Sequence, residues 1–307
     1  MVRWVFLCLV LCGILLLLHA CLSGESNLHS GQTVRVYNTE TQELMTMDLE
    51  EYLVGVVSAE MPASFHMEAL KAQAIAARTF AISRMQHPSP KVTALHKDAQ
   101  LSTSPETCQA WIGEETQRNR WGDQYTKYHK KIVRAVAETA GEVLCYEGTL
   151  IEPLYHASCG GGLTEAAVDV WGNEKPYLVS VACNHPDDPH TQQTVTMSLQ
   201  EMRQRLGIGT TAGSTTIQLL SSTASNRVKT VRIGEKQFTG IQVRNLLGLK
   251  STLFRWDIHG TQVTFTTNGY GHGVGMCQYG ADYYGAQGQS YRQILQRYYP
   301  GTEITKI

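Results

Sequence analysis

The sequence predicts an α+β chain: a mixed helical and β core carrying a smaller inserted α/β lobe, preceded by an N-terminal membrane anchor. Three observations predict it. An almost unbroken apolar run opens the chain at 4–18. Short alternating segments and capped helical segments then follow without regular βαβ alternation. From about His190 to Lys250 the pattern changes character, and a glycine-rich segment at 269–280 precedes the last helical stretch.

The apolar run follows Arg3 and continues weakly to Leu22 before the polar Ser23-Gly24-Glu25. A spanning helix needs about 20 apolar residues and a signal-peptide core about 7–15. Residues 1–24 therefore read as a retained anchor or a cleaved signal. Leu18-His19-Ala20-Cys21 also has the form of a lipoprotein box, with Cys21 as the lipidated residue. With Arg3 on the cytoplasmic side, everything after the anchor lies outside. Residues 25–30 are a polar linker, and about 280 residues remain, enough for one large core with an inserted lobe. The net charge of −1 suggests neither a nucleic acid nor an anionic surface as partner. Of eight cysteines, Cys8, Cys12 and Cys21 belong to the anchor segment. The other five are an odd number, so a fully paired disulfide scaffold is excluded.

Along the soluble part, 33–37 alternates as a strand. The stretch 46–59 predicts a helix, with Asp48 as N-cap, Glu51 three residues later, and Pro62 as its stop. An alanine-rich helix is expected over 66–85 and a third over 131–139, closed by Gly141. Strands at 142–146 and 152–157 flank the Glu147-Gly148 turn. Within 191–250, read as the inserted lobe, a helix at 199–206, a strand at 228–233 and a helix at 242–247 are expected. A hairpin of 254–258 with 262–266 then returns the chain to the core, which comprises 31–190 and 251–307. A helix at 291–299 closes it.

The chemistry concentrates at Glu60, where the first helix must stop before Pro62 in the apolar setting of Val56-Val57-Ser58-Ala59-Glu60-Met61-Pro62. The negative end of the helix dipole and desolvation both raise a carboxyl pKa, as a general acid near neutral pH requires. An ordinary surface carboxylate at a helix end is the alternative. In the next helix Lys71 and Arg78 are seven apart and share a face. That face suits an acetylated, partly anionic sugar strand, or is simply solvated.

Glu60-Met61-Pro62-Ala63-Ser64-Phe65, Glu68-Ala69-Leu70-Lys71-Ala72-Gln73-Ala74-Ile75-Ala76-Ala77-Arg78-Thr79 and Gly271-His272-Gly273-Val274-Gly275-Met276-Cys277-Gln278-Tyr279-Gly280-Ala281 closely resemble the stage II sporulation protein D family. Gly160-Gly161, Thr164-Glu165, Val170-Trp171-Gly172 and Pro176-Tyr177-Leu178 resemble it in the same order, so the likeness spans nearly all of the chain after residue 31. The resemblance implies a peptidoglycan lytic transglycosylase cleaving the β-1,4 bond between N-acetylmuramic acid and N-acetylglucosamine, preferably in peptide-stripped glycan. It implies Glu60 as the catalytic acid, and Lys71, Arg78, His272, Gln278 and Tyr279 as substrate-groove positions. It further implies action in engulfment during sporulation, on the mother-cell membrane facing the septal wall, beside a cell-wall amidase and its membrane scaffold. Some relatives are amidase enhancers, so a glycan-binding activator is the second reading. Cys277 departs from the family, whose members commonly carry serine there. A Cys277–His272 protease pair is a further alternative. The glycine-rich loop lacks the Gly-Lys-Ser/Thr ending of a phosphate cradle.

No cofactor is required for glycan cleavage in this reading. A structural zinc held by Cys108, Cys159, Cys183 and one of His156 or His185 is chemically sensible, since some relatives bind zinc through core cysteine and histidine. The spacing is not a paired CxxC pattern. A Cys159–Cys183 disulfide and free thiols are its rivals, and a zinc-dependent hydrolase built on the cluster is a third function class.

Overall fold

A computed structural model describes residues 28, 30–186, 188–209 and 215–307. The expected anchor, Cys21 and most of the 25–30 linker lie outside the described residues. Among the described residues no helix is long and apolar enough to cross a membrane. The described chain is α+β, as expected.

The core begins with β1 (Thr33–Asn38), whose Val34 and Val36 point inward with no exposure while their neighbours face out. It pairs antiparallel with β2 (Glu43–Asp48) and parallel with β3 (Leu101–Ser102). Pairing with β1 takes residues that local pattern assigns to the first helix: Thr46 sits opposite Arg35. The helix α1 (Leu49–Glu60) therefore starts three residues later than expected. Asp48 is its N-cap, its side chain accepting from the Glu50 amide rather than from Glu51. Helix α2 (Met67–Gln86) is the centre of the core. Ala69, Ala72, Ala74, Ala76, Ala77 and Ala81 are fully buried. Small side chains on several faces let neighbours approach the backbone closely. Those neighbours are α1, α5 (Tyr125–Ala137), β4 (Glu142–Tyr146), α9 (Gln278–Ala286) and α10 (Tyr291–Tyr298).

Two further helices precede α5, the short α3 (Pro90–Leu95) and α4 (Glu114–Trp121); α4 leads into α5 through a 3₁₀ turn. β4 lies between β5 (Thr149–Leu150) and β14 (Glu303–Lys306), so the chain ends in a strand and not, as expected, in a helix. The single strand expected over 152–157 shrinks to β6 (Tyr155–His156), which pairs parallel with β13 (Met276–Cys277). A short α6 (Ala167–Trp171) lies between these partners in sequence.

The lobe comprises β7 (Gln193–Ser198), α7 (Leu199–Arg205), β8 (Ile217–Ser222), β9 (Val228–Ile233), β10 (Lys236–Thr239), α8 (Gly240–Leu247), β11 (Phe254–His259) and β12 (Gln262–Thr267). Two three-stranded sheets, β10-β9-β8 and β11-β12-β7, enclose a second apolar cluster running from Met197 to Phe265. The β11–β12 hairpin therefore packs in the lobe instead of returning to the core. Its partner β7 leads the chain into the lobe, and Phe254, Val263 and Phe265 fill the lobe interior.

Arg78 is fully buried on α2. Its guanidinium donates to both carboxylate oxygens of Glu50 at 2.8 and 2.6 Å, and to the carbonyls of Glu142 and Val136. This bidentate pair ties α1 to α2 and to the α5–β4 junction. It leaves Arg78 no face toward a ligand, which corrects its expected groove role. Removing one partner of such a pair strands a buried charge. Arg78→Met should lower unfolding free energy by about 3–5 kcal/mol in urea titrations, and Glu50→Leu added to it should recover much of the loss.

Candidate active site

Glu60 occupies the last turn of α1. Met61 turns the backbone extended, and its amide still bonds to the Val57 carbonyl. The side chain is half-buried, and its Oε1 accepts from the Ala110 amide at 2.7 Å. The segment carrying that amide lies against α1 because Gly55 has no side chain. A Cβ there would run into the Trp111 indole, and the Ile112 amide bonds to the Gly55 carbonyl at 3.3 Å. Burial pushes the Glu60 carboxyl up to about 7, against the lowering pull of the Ala110 amide and of the Tyr155 hydroxyl facing it. Desolvation is thus the dominant cause. The sequence rationale for a raised pKa was correct in direction, while its stabilising contacts come from distant segments.

Tyr155 extends this carboxyl into a polar network. Its hydroxyl donates to Gln109 Oε1 at 2.7 Å, and Gln109 Nε2 reaches the Ala77 carbonyl of α2 at 3.4 Å. Gln73, also facing the Tyr155 hydroxyl, accepts from Gln278 Nε2 at 3.3 Å. The structure thereby joins Gln278 to Glu60 through Gln73 and Tyr155. Tyr155, Gln73, Gln109 and the Ala110 amide were not singled out by sequence reasoning. In the run 108–111 local pattern marks only the cysteine, and Tyr155 falls in an expected strand with nothing local to set it apart.

The remaining expected groove residues are dispersed. Tyr279 packs edge-on against Phe65 at 4.9 Å and against His190 at 5.2 Å; His190 in turn meets Tyr270 at 5.1 Å. These rings form a continuous aromatic ridge beginning five residues beyond Glu60. Lys71 is held between Glu68 (3.0 Å) and Glu138 (2.7 Å), a structural clasp on α2. His272 packs beside His156 and Trp171, and burial pushes its pKa down to about 3, so it is neutral near pH 7. It does not meet Cys277, whose neighbour is His185 at 3.4 Å, and the alternative of a Cys277–His272 protease pair is not formed. A cavity of about 240 Å³ opens beside Arg78 and Leu28, away from Glu60. Its lining combines the paired Arg78 and Glu50 with Ser30, Gln32, Lys306 and apolar side chains, and it does not include Glu60.

Beside this network lies a cluster that could hold a metal. Ligand atoms of Cys159, Cys183, His185 and Cys277 all fall within 4.8 Å of one another, and all four residues are buried. All five described cysteines are free thiols, so the Cys159–Cys183 disulfide is not formed. One member of the expected metal set, Cys108, is corrected, and of the two alternative histidines the cluster takes His185. Cys108 is half-buried near Ser102 and Arg84, apart from the cluster. His156 turns its Nδ1 to the Val274 carbonyl at 3.1 Å. Cys277 takes the place of Cys108, because β6–β13 pairing brings the start of α9 onto the Cys159 loop.

A carboxyl with a raised folded pKa costs stability once deprotonated. The stability present below the ordinary value of 4.5 is lost as pH rises through about 7. Glu60→Gln keeps an acceptor for the Ala110 amide without that penalty. Its stability relative to the parent should grow between these pH values, up to about 3 kcal/mol, and level off above them. Thermal unfolding across pH checks this.

Residues 37–146 match the model of a family described as Stage II sporulation protein. The chain is 39% identical over 280 residues to Stage II sporulation protein D of Bacillus amyloliquefaciens, covering 89% of this chain and 79% of that protein. With the Bacillus subtilis protein of the same name it shares 38% over 277 residues, at the same coverage. It is also 31% identical over 310 residues to the Amidase enhancer of Bacillus subtilis, covering 82% of this chain and 40% of that longer protein. With two relatives matched across most of both chains, this chain belongs to the stage II sporulation protein D family.

Proposed function

We propose that this chain is a lytic transglycosylase acting on peptidoglycan, with Glu60 as its single catalytic acid and base. The observation that carries the reading is the half-buried Glu60 carboxyl, held near neutral pKa between the Ala110 amide and the Tyr155 hydroxyl. Burial, the Ala110 amide and the Tyr155 hydroxyl set the Glu60 carboxyl, and the Glu60–Phe65 motif carries no second acid. A glycosidase that uses water or a covalent intermediate needs two carboxylates. One carboxyl suffices for intramolecular displacement. Protonated Glu60 gives its proton to the glycosidic oxygen as the C1–O4 bond of the muramic residue breaks. The resulting carboxylate takes the proton of that residue's C6 hydroxyl as O6 bonds to C1. The products are a 1,6-anhydro-muramic end and a free 4-hydroxyl, with Glu60 reprotonated and no water consumed.

The exposed Tyr270 ring, with half-buried His190 and Tyr279 behind it, suits stacking against the apolar faces of N-acetyl sugars. The substrate is proposed to be peptide-stripped glycan at the septal wall of a sporulating cell, with the chain anchored through residues 1–24 and its core outside the membrane. A cell-wall amidase and its membrane scaffold are the proposed partners. The reaction needs no cofactor. A second reading, a glycan-binding activator of an amidase, is favoured by the 31% identity to the Amidase enhancer.

Denuded glycan strands incubated with the protein and analysed by mass spectrometry should yield anhydro-muramic ends. Glu60→Gln should reduce their yield by at least about a hundredfold, the contribution typical of a general acid. Reducing ends would mean a hydrolase, and bound but uncut strands would mean the activator. Because the acid must be protonated, activity should fall as pH rises through about 7. Tyr155→Phe removes a lowering influence on Glu60, so that alkaline limb should move to higher pH.

A further inference from the structure

We propose that the inserted lobe reads the acid groups of the glycan: Arg244 and Lys250, beside the exposed rings of Tyr270 and Trp171, form a subsite for a carboxylate-bearing N-acetyl sugar. This subsite rests on the glycan reading above and gives it an anionic specificity. A muramic residue stripped of its peptide keeps a free lactyl carboxylate. A stripped strand therefore presents apolar sugar faces and repeated negative charge together. Recognising it takes rings for the faces and unpaired cations for the charge.

The lobe supplies the cations. Arg244 lies on α8, which ends at Gly248 in the left-handed conformation, φ 71°. The Gly248 and Leu249 amides both bond back to the Arg244 carbonyl, and this turn delivers Lys250 to the core. There the Lys250 carbonyl receives the Gly271 amide at 3.0 Å, and its Nζ stands 4.9 Å over the Tyr270 ring. Among the described residues neither cation has a carboxylate partner. Other lobe cations do: Arg227 has Glu165 at 3.8 Å and Lys229 has Asp169 at 2.8 Å. Arg244 is half-buried, and its Nε is buried without a hydrogen-bond partner. A desolvated guanidinium lacking a counter-ion is costly, and a bound carboxylate supplies the missing partner. The Arg244 charge acts on Tyr270 and on His272, so it lies on the side of the lobe that faces the glycine-rich loop.

The core supplies the rings. Trp171 is 49% exposed and Tyr270 40%, and both border His272. Trp171 ends α6 and packs against the His272 ring at 5.5 Å, while Tyr270 lies two residues before that histidine. His272 is held in place: its Nδ1 accepts from the Val274 amide at 3.1 Å, and its ring faces the carbonyl of Tyr155, whose hydroxyl faces Glu60. Gly271 lets this loop close on β6, since a Cβ there would stand 2.9 Å from the His156 Cβ. On the other side, Tyr270 connects through His190 and Tyr279 to Phe65, five residues beyond Glu60. Two runs of packed side chains thus lead from the Glu60 carboxyl to the lobe's unpaired cations. A strand with one bond at Glu60 has its neighbouring acidic sugar within reach of the lobe, and the lobe acts as a selector for charge.

The test measures binding to the full-length Glu60→Gln chain in detergent, which should hold strands uncut, by fluorescence anisotropy of end-labelled glycan. Two preparations are compared: denuded strands with free lactyl carboxylates, and the same strands with those groups converted to neutral methylamides. The free-acid strand should bind at least about tenfold more tightly, the worth of one charge-assisted hydrogen bond. Adding Arg244→Gln and Lys250→Gln should bring the two affinities together while the methylamide strand still binds. Lys250→Gln alone changes an exposed side chain and should remove part of the difference without touching the fold. Arg255→Gln, at an exposed cation of β11, should leave the difference intact. Equal binding of both strands, or a difference that survives the double variant, overturns the subsite and leaves the glycan reading standing. Failure to bind either strand, together with no cleavage by the unsubstituted chain, removes the glycan reading and the subsite with it. Phosphatidylglycerol vesicles that displace the free-acid strand, and lose that ability in the double variant, would assign these cations to a membrane surface and overturn the sugar subsite.

Discussion

The arrangement depends on a pairing only two residues long. Tyr155–His156 lies parallel to Met276–Cys277, joining segments separated by the whole inserted lobe. On one side of that contact Tyr155 reaches toward Glu60 and Gln109. On the other, Cys277 meets Cys159 and His185, and Gln278 starts the helix that reaches Gln73. So short a ladder contributes few hydrogen bonds, and such non-local contacts must offset a large loop-closure entropy. The lobe between the strands carries its own apolar cluster, which shortens the effective loop to a folded body.

The second constraint is the buried α2 helix. Alanines on most of its faces leave little room for long side chains, and its buried polar ones reach neighbouring elements. Arg78 is bound to Glu50, Thr79 Oγ1 bonds back to the Ile75 carbonyl and receives the Leu144 amide, and Gln73 meets Gln278. A buried polar group without a partner costs roughly 1–3 kcal/mol, so each of these fixes the placement of a neighbouring element. This explains why residues that look like a ligand-binding face from their spacing serve as joints between α1, α2 and β4.

Desolvation links the fold to the chemistry. The same packing that excludes water from the end of α1 raises the Glu60 carboxyl into the range where it both gives and takes a proton near neutral pH. One amide and one hydroxyl moderate the shift, keeping the group titratable. The scaffold thus tolerates a destabilising carboxyl at the place where the proposed reaction would need proton transfer, a common arrangement at catalytic sites.

By itself the sequence determined the α+β class, the principal helices, the stop at Pro62 and the place of Glu60 at a helix end. These follow from local rules: capping by Asp48, an alanine-rich periodicity, and the inability of proline to continue a helix. It also carried the ordered motifs that mark the family. Only the tertiary structure decided that 43–48 is a strand, that the β11–β12 hairpin belongs to the lobe, and that the chain ends in β14. Strand assignment depends on partners far away in the chain, so local pattern does not reveal it. For the same reason Cys277 and His185, rather than Cys108 and His156, complete the thiol cluster, and Tyr155 faces Glu60. Proximity between segments a hundred residues apart is a property of the packed fold, which spacing along the chain does not encode.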